Sequence, residues 1–182
     1  MKRYLISLLT LSALFGAIIS TNSCKTVSPE ESARRAYNDS VANNVARLQL
    51  KYRKFVLTAD QITINQSPII NVSDNTNFIL SDSLTGVVQV SPRMSGGPNS
   101  LGGFTVKGDI TNYEMKTAKN GDITVTYRLS APIGSTDVRI LLYNGSNKAQ
   151  ATITPTFNRG RATLNGEIKA LGNQQYFEGR SF

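Results

Sequence analysis

The sequence predicts a mainly β protein in which one N-terminal amphipathic helix precedes an antiparallel, up-and-down, barrel-like sheet. Three observations carry this prediction. Apolar residues recur at helical spacing between residues 33 and 52, apolar and polar residues alternate in the later half, and two Asn-Gly pairs separate alternating segments. Alternation with period two is typical of half-buried strands, and Asn-Gly is typical of hairpin turns. A two-sheet β-sandwich is the alternative arrangement.

Residues 1–23 have the layout of a secretory signal peptide. Lys2 and Arg3 precede an apolar run over residues 4–19, and small or polar residues then lead to Cys24. The run is too short to predict a membrane-spanning helix. Because Cys24 is the only cysteine and stands at this junction, we expect it to carry a bacterial lipid anchor, with 24–28 as a tether. Thr21 stands where such signals usually have leucine, and an ordinary cleaved signal is the alternative.

The first element after the tether is a helix from about residue 29 to about residue 51. Ser28 can cap it, Pro29 suits its first position, and Glu31 can complete a capping box. Its apolar residues form one stripe, which consists of Ala33, Tyr37, Val41, Val45, Leu48 and Tyr52. We expect this stripe to be buried against the sheet, so that Val45→Asp would cost several kcal/mol.

About eight to ten strands follow the helix, and residues 29–182 form a single domain. The predicted strands cover 55–59, 69–72, 77–80, 87–90, 104–110, 123–130, 138–142, 149–153 and 162–168. Turn signals at 120–122, 144–146 and 158–160 indicate hairpins, with type I′ turns at the Asn-Gly pairs. No helical pattern recurs between strands, so parallel βαβ units are not expected.

Several positions on the apolar phase of the later strands are small. They are Gly108, Gly166, Ala149, Ala151 and Ala162. Glycine inside a strand marks a bend or a close approach by another element. We expect either the N-terminal helix or a ligand to fill the space beside these residues.

The composition limits the chemistry available to the chain. There is no histidine and one cysteine, which excludes His- or Cys-based zinc and haem sites and the Ser-His-Asp triad. We expect no cofactor, no metal and no enzymatic activity. The carboxyls Asp109, Glu114 and Glu167 are expected to be solvated rather than paired as in a glycosidase. The formal net charge is +8, but no basic stripe with interleaved aromatics predicts a nucleic-acid partner.

Residues 95–103 form a Gly-rich loop that lacks the lysine and the following helix of a phosphate-binding P-loop. Long loops often carry binding functions. Gly96, Gly97, Asn99, Leu101 and Gly102 are therefore the candidate binding loop.

Four segments resemble the Bacteroidetes lipoproteins grouped as domain-of-unknown-function family 4251. They are residues 71–78, 95–103, 108–113 and 177–182. The resemblance extends over roughly residues 29–182. It implies a helix followed by an antiparallel barrel-like sheet, similar to the lipocalin-like class, and it implies no activity.

The sequence thus predicts an outer-membrane lipoprotein of the cell envelope that faces the periplasm or the cell surface. The leading hypothesis is a non-enzymatic binding or scaffold module, whose partners are the membrane and another envelope protein. The alternative is a carrier of a small apolar ligand or lipid in the barrel interior. A filled interior favours the module, and a continuous apolar cavity favours the carrier.

Overall fold

The structure, a computed structural model, describes residues 28–65, 67–92, 103–157, 160–172, 176 and 178–179. By internal contacts the chain divides at residue 33. The described residues before that point begin the helix, and those from Arg34 onward form one compact unit. The elements are α1 (Pro29–Tyr52), β1 (Lys54–Ile64), β2 (Ile70–Asn71), β3 (Phe78–Asp82), β4 (Thr85–Val90), β5 (Phe104–Thr117), β6 (Ile123–Ala131), β7 (Gly134–Leu142), β8 (Lys148–Pro155) and β9 (Ala162–Ala170).

Eight of the nine strands close into an antiparallel barrel. The strands run in the order β1-β3-β4-β5-β6-β7-β8-β9, and β9 pairs with β1 from Phe55↔Ala170 to Ile64↔Ala162. The two-residue β2 pairs with Gln61 and Ile62 of β1. The prediction of an up-and-down barrel is therefore confirmed, and the sandwich alternative is wrong, because the sheet closes on itself.

Side chains fill the barrel interior. Each of the eight barrel strands contributes at least one inward side chain with no exposed surface: Leu57, Ile79, Val88, Val106, Val125, Ile140, Ala151 and Leu164. Ala149 and Ala162, at 2% and 3% exposure, join the same core cluster, as the alternation predicted. The helix adds Ala46 and Leu50 to this cluster.

Gly108 and Gly166 mark close approaches between neighbouring strands, so the expectation that the helix or a ligand fills the space beside them is wrong. A Cβ on Gly108 would lie 1.9 Å from the carbonyl oxygen of Ser130. A Cβ on Gly166 would lie 1.9 Å from the carbonyl oxygen of Thr58. The backbone of a neighbouring strand occupies the position of the missing side chain in both cases, so only glycine fits there.

The helix covers one end of the barrel, but not through the predicted stripe. Its buried residues are Asn43, Ala46 and Leu50. The stripe faces solvent, with exposed fractions of 70% for Tyr37, 45% for Val41, 41% for Val45, 50% for Leu48 and 63% for Tyr52. The prediction that this stripe is buried is therefore wrong. The short side chain of Ala46 lets the helix approach the barrel closely, and Leu50 completes the core.

Hydrogen bonds fix the helix to two loops at this end of the barrel. The Asn43 side-chain amide donates to the carbonyl oxygens of Tyr143 and Ser146, at 3.1 and 2.6 Å. Arg47 donates from Nε to Asn43 Oδ1 at 2.8 Å and from Nη2 to the carbonyl of Gly121. These side chains satisfy loop carbonyls that the helix would otherwise cut off from water.

A tyrosine from β5 caps the end of the helix. Tyr113 Oη donates to the carbonyl oxygen of Leu50 at 2.6 Å, and its ring stacks on Tyr127 at 5.7 Å. The Arg53 guanidinium lies 4.6 Å from the centre of the Tyr113 ring. Burial raises the pKa of Tyr113 and Arg53 partly opposes that rise, so the hydroxyl stays protonated and able to donate.

The two Asn-Gly pairs lie in turns, but the predicted turn type is wrong. Residues 118–122 and 143–147 form five-residue loops rather than two-residue turns. Gly121 and Gly145 have φ of +88° and +84°, whereas Asn120 and Asn144 do not have positive φ. A type I′ turn needs positive φ at both central residues. Part of the third predicted turn, at 158–160, lies outside the described residues.

Residues near the C-terminus cover the outer surface of β3 and β4. The Tyr176 ring lies 5.1 Å from Phe78, in a second apolar cluster with Val56 and Val87. The Gly179 N–H donates to Gln89 Oε1 at 2.7 Å. This side of the barrel is thus buried on both faces, which explains the continuous rather than alternating burial of β4.

The described part of the chain contains no helix that is long and apolar enough to cross a membrane.

Candidate functional site: an arginine groove on the outer face of the barrel

A groove of about 570 Å³ crosses the outer surface of β5, β6, β7 and β8. We call it the arginine groove. It is lined by Asn112, Glu114, Thr126, Tyr127, Arg128, Asp137, Val138, Arg139, Thr152, Thr154 and Arg161. The groove is open to solvent and its side chains are mainly polar, which suits an extended polar ligand better than an enclosed apolar one.

Strand register places hydroxyl groups and a guanidinium in one line that crosses the groove and continues beyond it, to Thr163 and Thr63. Directly opposite pairs link residues across five successive strand boundaries: Glu114↔Thr126, Thr126↔Arg139, Arg139↔Thr152, Thr152↔Thr163 and Thr163↔Thr63. Neighbouring strands lie about 4.8 Å apart, so the line repeats polar groups at that spacing. The line ends next to Arg161, which lies directly before β9.

The charges of the groove are not balanced. Arg128 forms a forked pair with Asp137, through Nε at 2.7 Å and Nη2 at 3.2 Å. Within the described residues, the side chains of Arg139 and Arg161 make no hydrogen bond or ion pair. Two exposed guanidiniums in the groove lining therefore have no partner among the described residues.

The carboxyl of Glu114, at one end of the groove, forms an ion pair with Lys116. It lies 2.8 Å from Lys116 Nζ, and the hydrogen bond from Lys116 lowers its pKa. A general acid needs the opposite shift. Asp109 is exposed and Glu167 is half-buried, both on the outer surface. The three carboxyls singled out in the sequence therefore form no acid–base pair.

A β-bulge in β5 shapes one wall of the groove. The register between β5 and β6 shifts between Thr111 and Glu114, and Asn112 has φ of +54°. The bulge turns Tyr113 inward towards the helix end and leaves Asn112 in the groove wall. Bulges often redirect side chains in this way at the margins of sites.

A second, smaller pocket of about 300 Å³ lies at the end of the barrel opposite α1. Its walls include Ile64, Val90 and Phe104, together with Arg161, which it shares with the arginine groove. It is a more apolar site than the groove.

The sequence predicted a lipid-anchor residue and a binding loop. Cys24 and the binding loop Gly96, Gly97, Asn99, Leu101 and Gly102 lie outside the described residues, as does the predicted signal over 1–23. They stay predictions.

The arginine groove was not predicted, although part of its signal was visible. The alternation in β6 places Thr126 and Arg128 on the outer phase. What the sequence does not show is the register, which brings Arg139 of β7 and Thr152 of β8 beside Thr126.

The fold and the groove define a class of protein: a closed eight-stranded antiparallel barrel, capped at one end by a helix and polar on one outer side. A model of the family described as "Domain of unknown function (DUF4251)" matches residues 38–168. The chain belongs to this family, so the family resemblance seen in the sequence is confirmed for these residues.

One solved structure that is similar to this chain is a DUF4251 family protein from Bacteroides eggerthii DSM 20697. The two chains are 34% identical with a TM-score of 0.68, and the match covers 81% of this chain and 99% of the other. A comparison with curated proteins finds no significant match.

Proposed function

We propose that this protein is an exported, lipid-anchored, non-enzymatic binding module of the cell envelope, and that the arginine groove binds an acidic polysaccharide. The observation that carries the ligand class is a pair of guanidiniums, those of Arg139 and Arg161, which have no side-chain partner among the described residues and line the same groove as the hydroxyls of Thr126 and Thr152. Guanidinium forks match carboxylate geometry, and hydroxyls can donate to and accept from sugar hydroxyls.

The shape of the groove supports a polymer rather than a small enclosed substrate. From β5 to β8 the polar line lies within the open groove, with one residue of each strand at a regular spacing. A ligand with repeating hydroxyl and carboxylate groups could contact several positions at once. Two groove carboxyls, Glu114 and Asp137, are paired with Lys116 and Arg128, which supports binding rather than acid–base catalysis.

The alternative function, a carrier of a small apolar ligand in the barrel, has less support. Each barrel strand places at least one fully buried side chain in the interior, and Ala46 and Leu50 of the helix close one end. Close packing leaves little room for a lipid chain. The pocket beside Ile64, Val90 and Phe104 is the place where such a ligand would have to enter.

The proposed export and anchoring rest on the sequence, because an apolar run leads directly to Cys24. Metabolic labelling with a fatty-acid analogue should mark the wild type, and Cys24→Ser should remove both the label and membrane retention. A soluble, unlabelled wild type would contradict the anchor and would leave the groove proposal standing.

The groove proposal can be tested by titration with acidic and neutral polysaccharides of equal length. We expect Arg139→Gln/Arg161→Gln to weaken binding of the acidic polymer at least about tenfold, since each lost charge-assisted hydrogen bond contributes about 1.5–3 kcal/mol. The matched control is Lys119→Gln/Lys169→Gln, which removes the same charge outside the groove. Equal affinities for the two double variants would refute the proposal, as would equal binding of neutral and acidic polymers.

A further inference from the structure

The pocket at the end of the barrel opposite α1, which we call the mouth pocket, combines apolar walls with one cation. It has a volume of about 300 Å³, and its apolar walls are formed by Ile64, Val90, Phe104, Pro155 and Ala162. Arg161 is the one charged side chain among the described residues that line it. Small-molecule sites typically have this form, in which apolar walls hold the body of a ligand and a few polar groups fix its orientation.

The filled interior of the barrel limits the depth of the mouth pocket. Val90 and Phe104 lie opposite each other on β4 and β5, and the next inward pair towards the helix, Val88 and Val106, has no exposed surface. A ligand in the pocket therefore lies above the core and not within the barrel. The volume is at the lower end of the range of ligand sites, about 300–1,000 Å³, so the pocket suits a small molecule.

The turn that follows β1 fixes the backbone of Arg161 at the edge of the mouth pocket. The Arg161 N–H donates to Asn65 Oδ1 at 2.7 Å, and the Asn65 N–H donates to the carbonyl oxygen of Arg161 at 2.9 Å. Asn65 has φ of +48°, a left-handed conformation that asparagine tolerates. The guanidinium itself is exposed, and it makes no hydrogen bond or ion pair within the described residues.

No acid occurs in the chain segments that form the mouth pocket. Residues 61–73, 83–108 and 138–166 supply all of its described walls, and they contain six Lys or Arg residues and no Asp or Glu. The two carboxyls of the adjoining arginine groove are each paired with a cation. Asp60 and Glu167, which flank these segments, line a different pocket beside Lys148. The charge of Arg161 is therefore not neutralised by the walls of the mouth pocket.

We propose that the mouth pocket binds a small monocarboxylic acid, whose apolar body lies against Ile64, Val90 and Phe104 and whose carboxylate pairs with Arg161. A guanidinium presents two parallel N–H donors that match the two oxygens of a carboxylate. The attraction is stronger beside apolar walls than in open water, because the local dielectric constant is lower. This inference does not depend on the polysaccharide proposal, although Arg161 lines both sites.

Titration of the full chain with three probes separates the contributions of the two parts of the ligand. Hexanoate has both parts, hexanamide has the same shape without the charge, and acetate has the charge without the apolar body. We expect hexanoate to bind at least about tenfold more tightly than hexanamide, because only the acid forms a charge-assisted pair. It should exceed acetate by at least the same factor, because acetate buries no chain of methylene groups. No binding of hexanoate, or equal binding of hexanoate and either other probe, would overturn the proposal.

Two glutamine variants test the role of Arg161. Arg161→Gln should lower the affinity for hexanoate to that for hexanamide, whereas Lys169→Gln, which removes a charge at the far end of β9, should leave it unchanged. Arg161→Gln keeps the backbone hydrogen bonds to Asn65, so an unchanged midpoint of thermal unfolding shows that the fold is intact. Equal losses of affinity in the two variants would refute specific pairing with Arg161.

Nuclear magnetic resonance locates the bound acid. Hexanoate should shift the methyl signals of Ile64 and Val90 and leave those of Ile133, in the turn between β6 and β7, in place. Shifts that leave Ile64 and Val90 unaffected would overturn the assignment to the mouth pocket. A chain that binds hexanoate at this site but binds no acidic polysaccharide would support this inference and refute the groove proposal, so the two can fail separately.

Discussion

The two sides of α1 differ in burial, and the apolar pattern of the sequence predicts the wrong side as buried. The outer side carries the larger apolar side chains, including Val41, Val45 and Leu48, yet it faces solvent. The inner side carries Asn43, Ala46 and Leu50, and it is buried. A helix packs through the side that fits its neighbour, where a short alanine permits close approach and an asparagine satisfies loop carbonyls. Apolar periodicity alone therefore does not identify the packed side.

The sharpest test of this difference is to substitute, one at a time, two leucines that lie two residues apart in α1. Leu50 is fully buried and Leu48 is 50% exposed. We expect Leu50→Ala to lower the free energy of unfolding by about 2–5 kcal/mol, because it leaves a cavity in the core. Leu48→Ala should change it by about 0.5 kcal/mol or less. Chemical denaturation measures both, and equal losses would mean that the helix packs differently.

Removal of the polar contact on the inner side of the helix should have the next largest effect on stability. Asn43→Ala removes the donors that reach the carbonyls of Tyr143 and Ser146 and leaves those oxygens unsatisfied. We expect a loss of about 1–3 kcal/mol in denaturation experiments. Asn44→Ala, at the exposed neighbouring position, is the control and should be nearly neutral. If the two asparagines proved interchangeable, the network would contribute nothing to docking the helix.

Substitutions of the two stacked tyrosines beneath the helix, Tyr113 and Tyr127, should change stability by smaller amounts and in different directions. Tyr113→Phe removes the hydrogen bond to the carbonyl of Leu50 and should cost about 0.5–1.5 kcal/mol. The hydroxyl of Tyr127 is buried, and no hydrogen-bond partner is found for it within the described residues. Tyr127→Phe should therefore be neutral or stabilising. Thermal unfolding of the two variants checks the sign of each change, and a clear loss of stability in Tyr127→Phe would contradict this assignment.

The smallest expected effect belongs to Val45→Asp. The sequence pattern predicts a cost of several kcal/mol, whereas the structure, in which Val45 is 41% exposed, predicts a change within about 0.5 kcal/mol. An unchanged midpoint of thermal unfolding would support the structure, in which the opposite side of the helix contacts the barrel. A large loss of stability would mean that the side carrying Val45 is buried, as the sequence pattern predicts.

Strands with strict alternation were predictable almost to the residue. The strand predicted over 123–130 is observed as Ile123–Ala131, since each inward residue of β6 alternates with an outward polar one. The strand predicted over 55–59 extends to Ile64, because the β1 register shifts between Ala59 and Gln61 and interrupts the pattern. Local sequence does not encode such a shift.

The prediction from the sequence missed the packed side of the helix and the arginine groove for the same reason. Asn43 bonds to carbonyls about a hundred residues further along the chain. Arg139 and Thr152 meet because β7 and β8 pair in one particular register. Both depend on contacts between distant segments, whereas helix capping and strand alternation are local properties that a sequence displays directly.

The pairing of β1 with β9 has a consequence for how the chain folds. It joins the two ends of the meander, as in the bond from Arg161 N–H to Asn65 Oδ1 between residues 96 positions apart. Folds with such high contact order close slowly, because loop entropy is lost before the contacts form. Until β9 arrives, β1 and β8 have free edges that can pair with other chains. Loss of β9 would therefore lead to aggregation rather than to a smaller stable barrel.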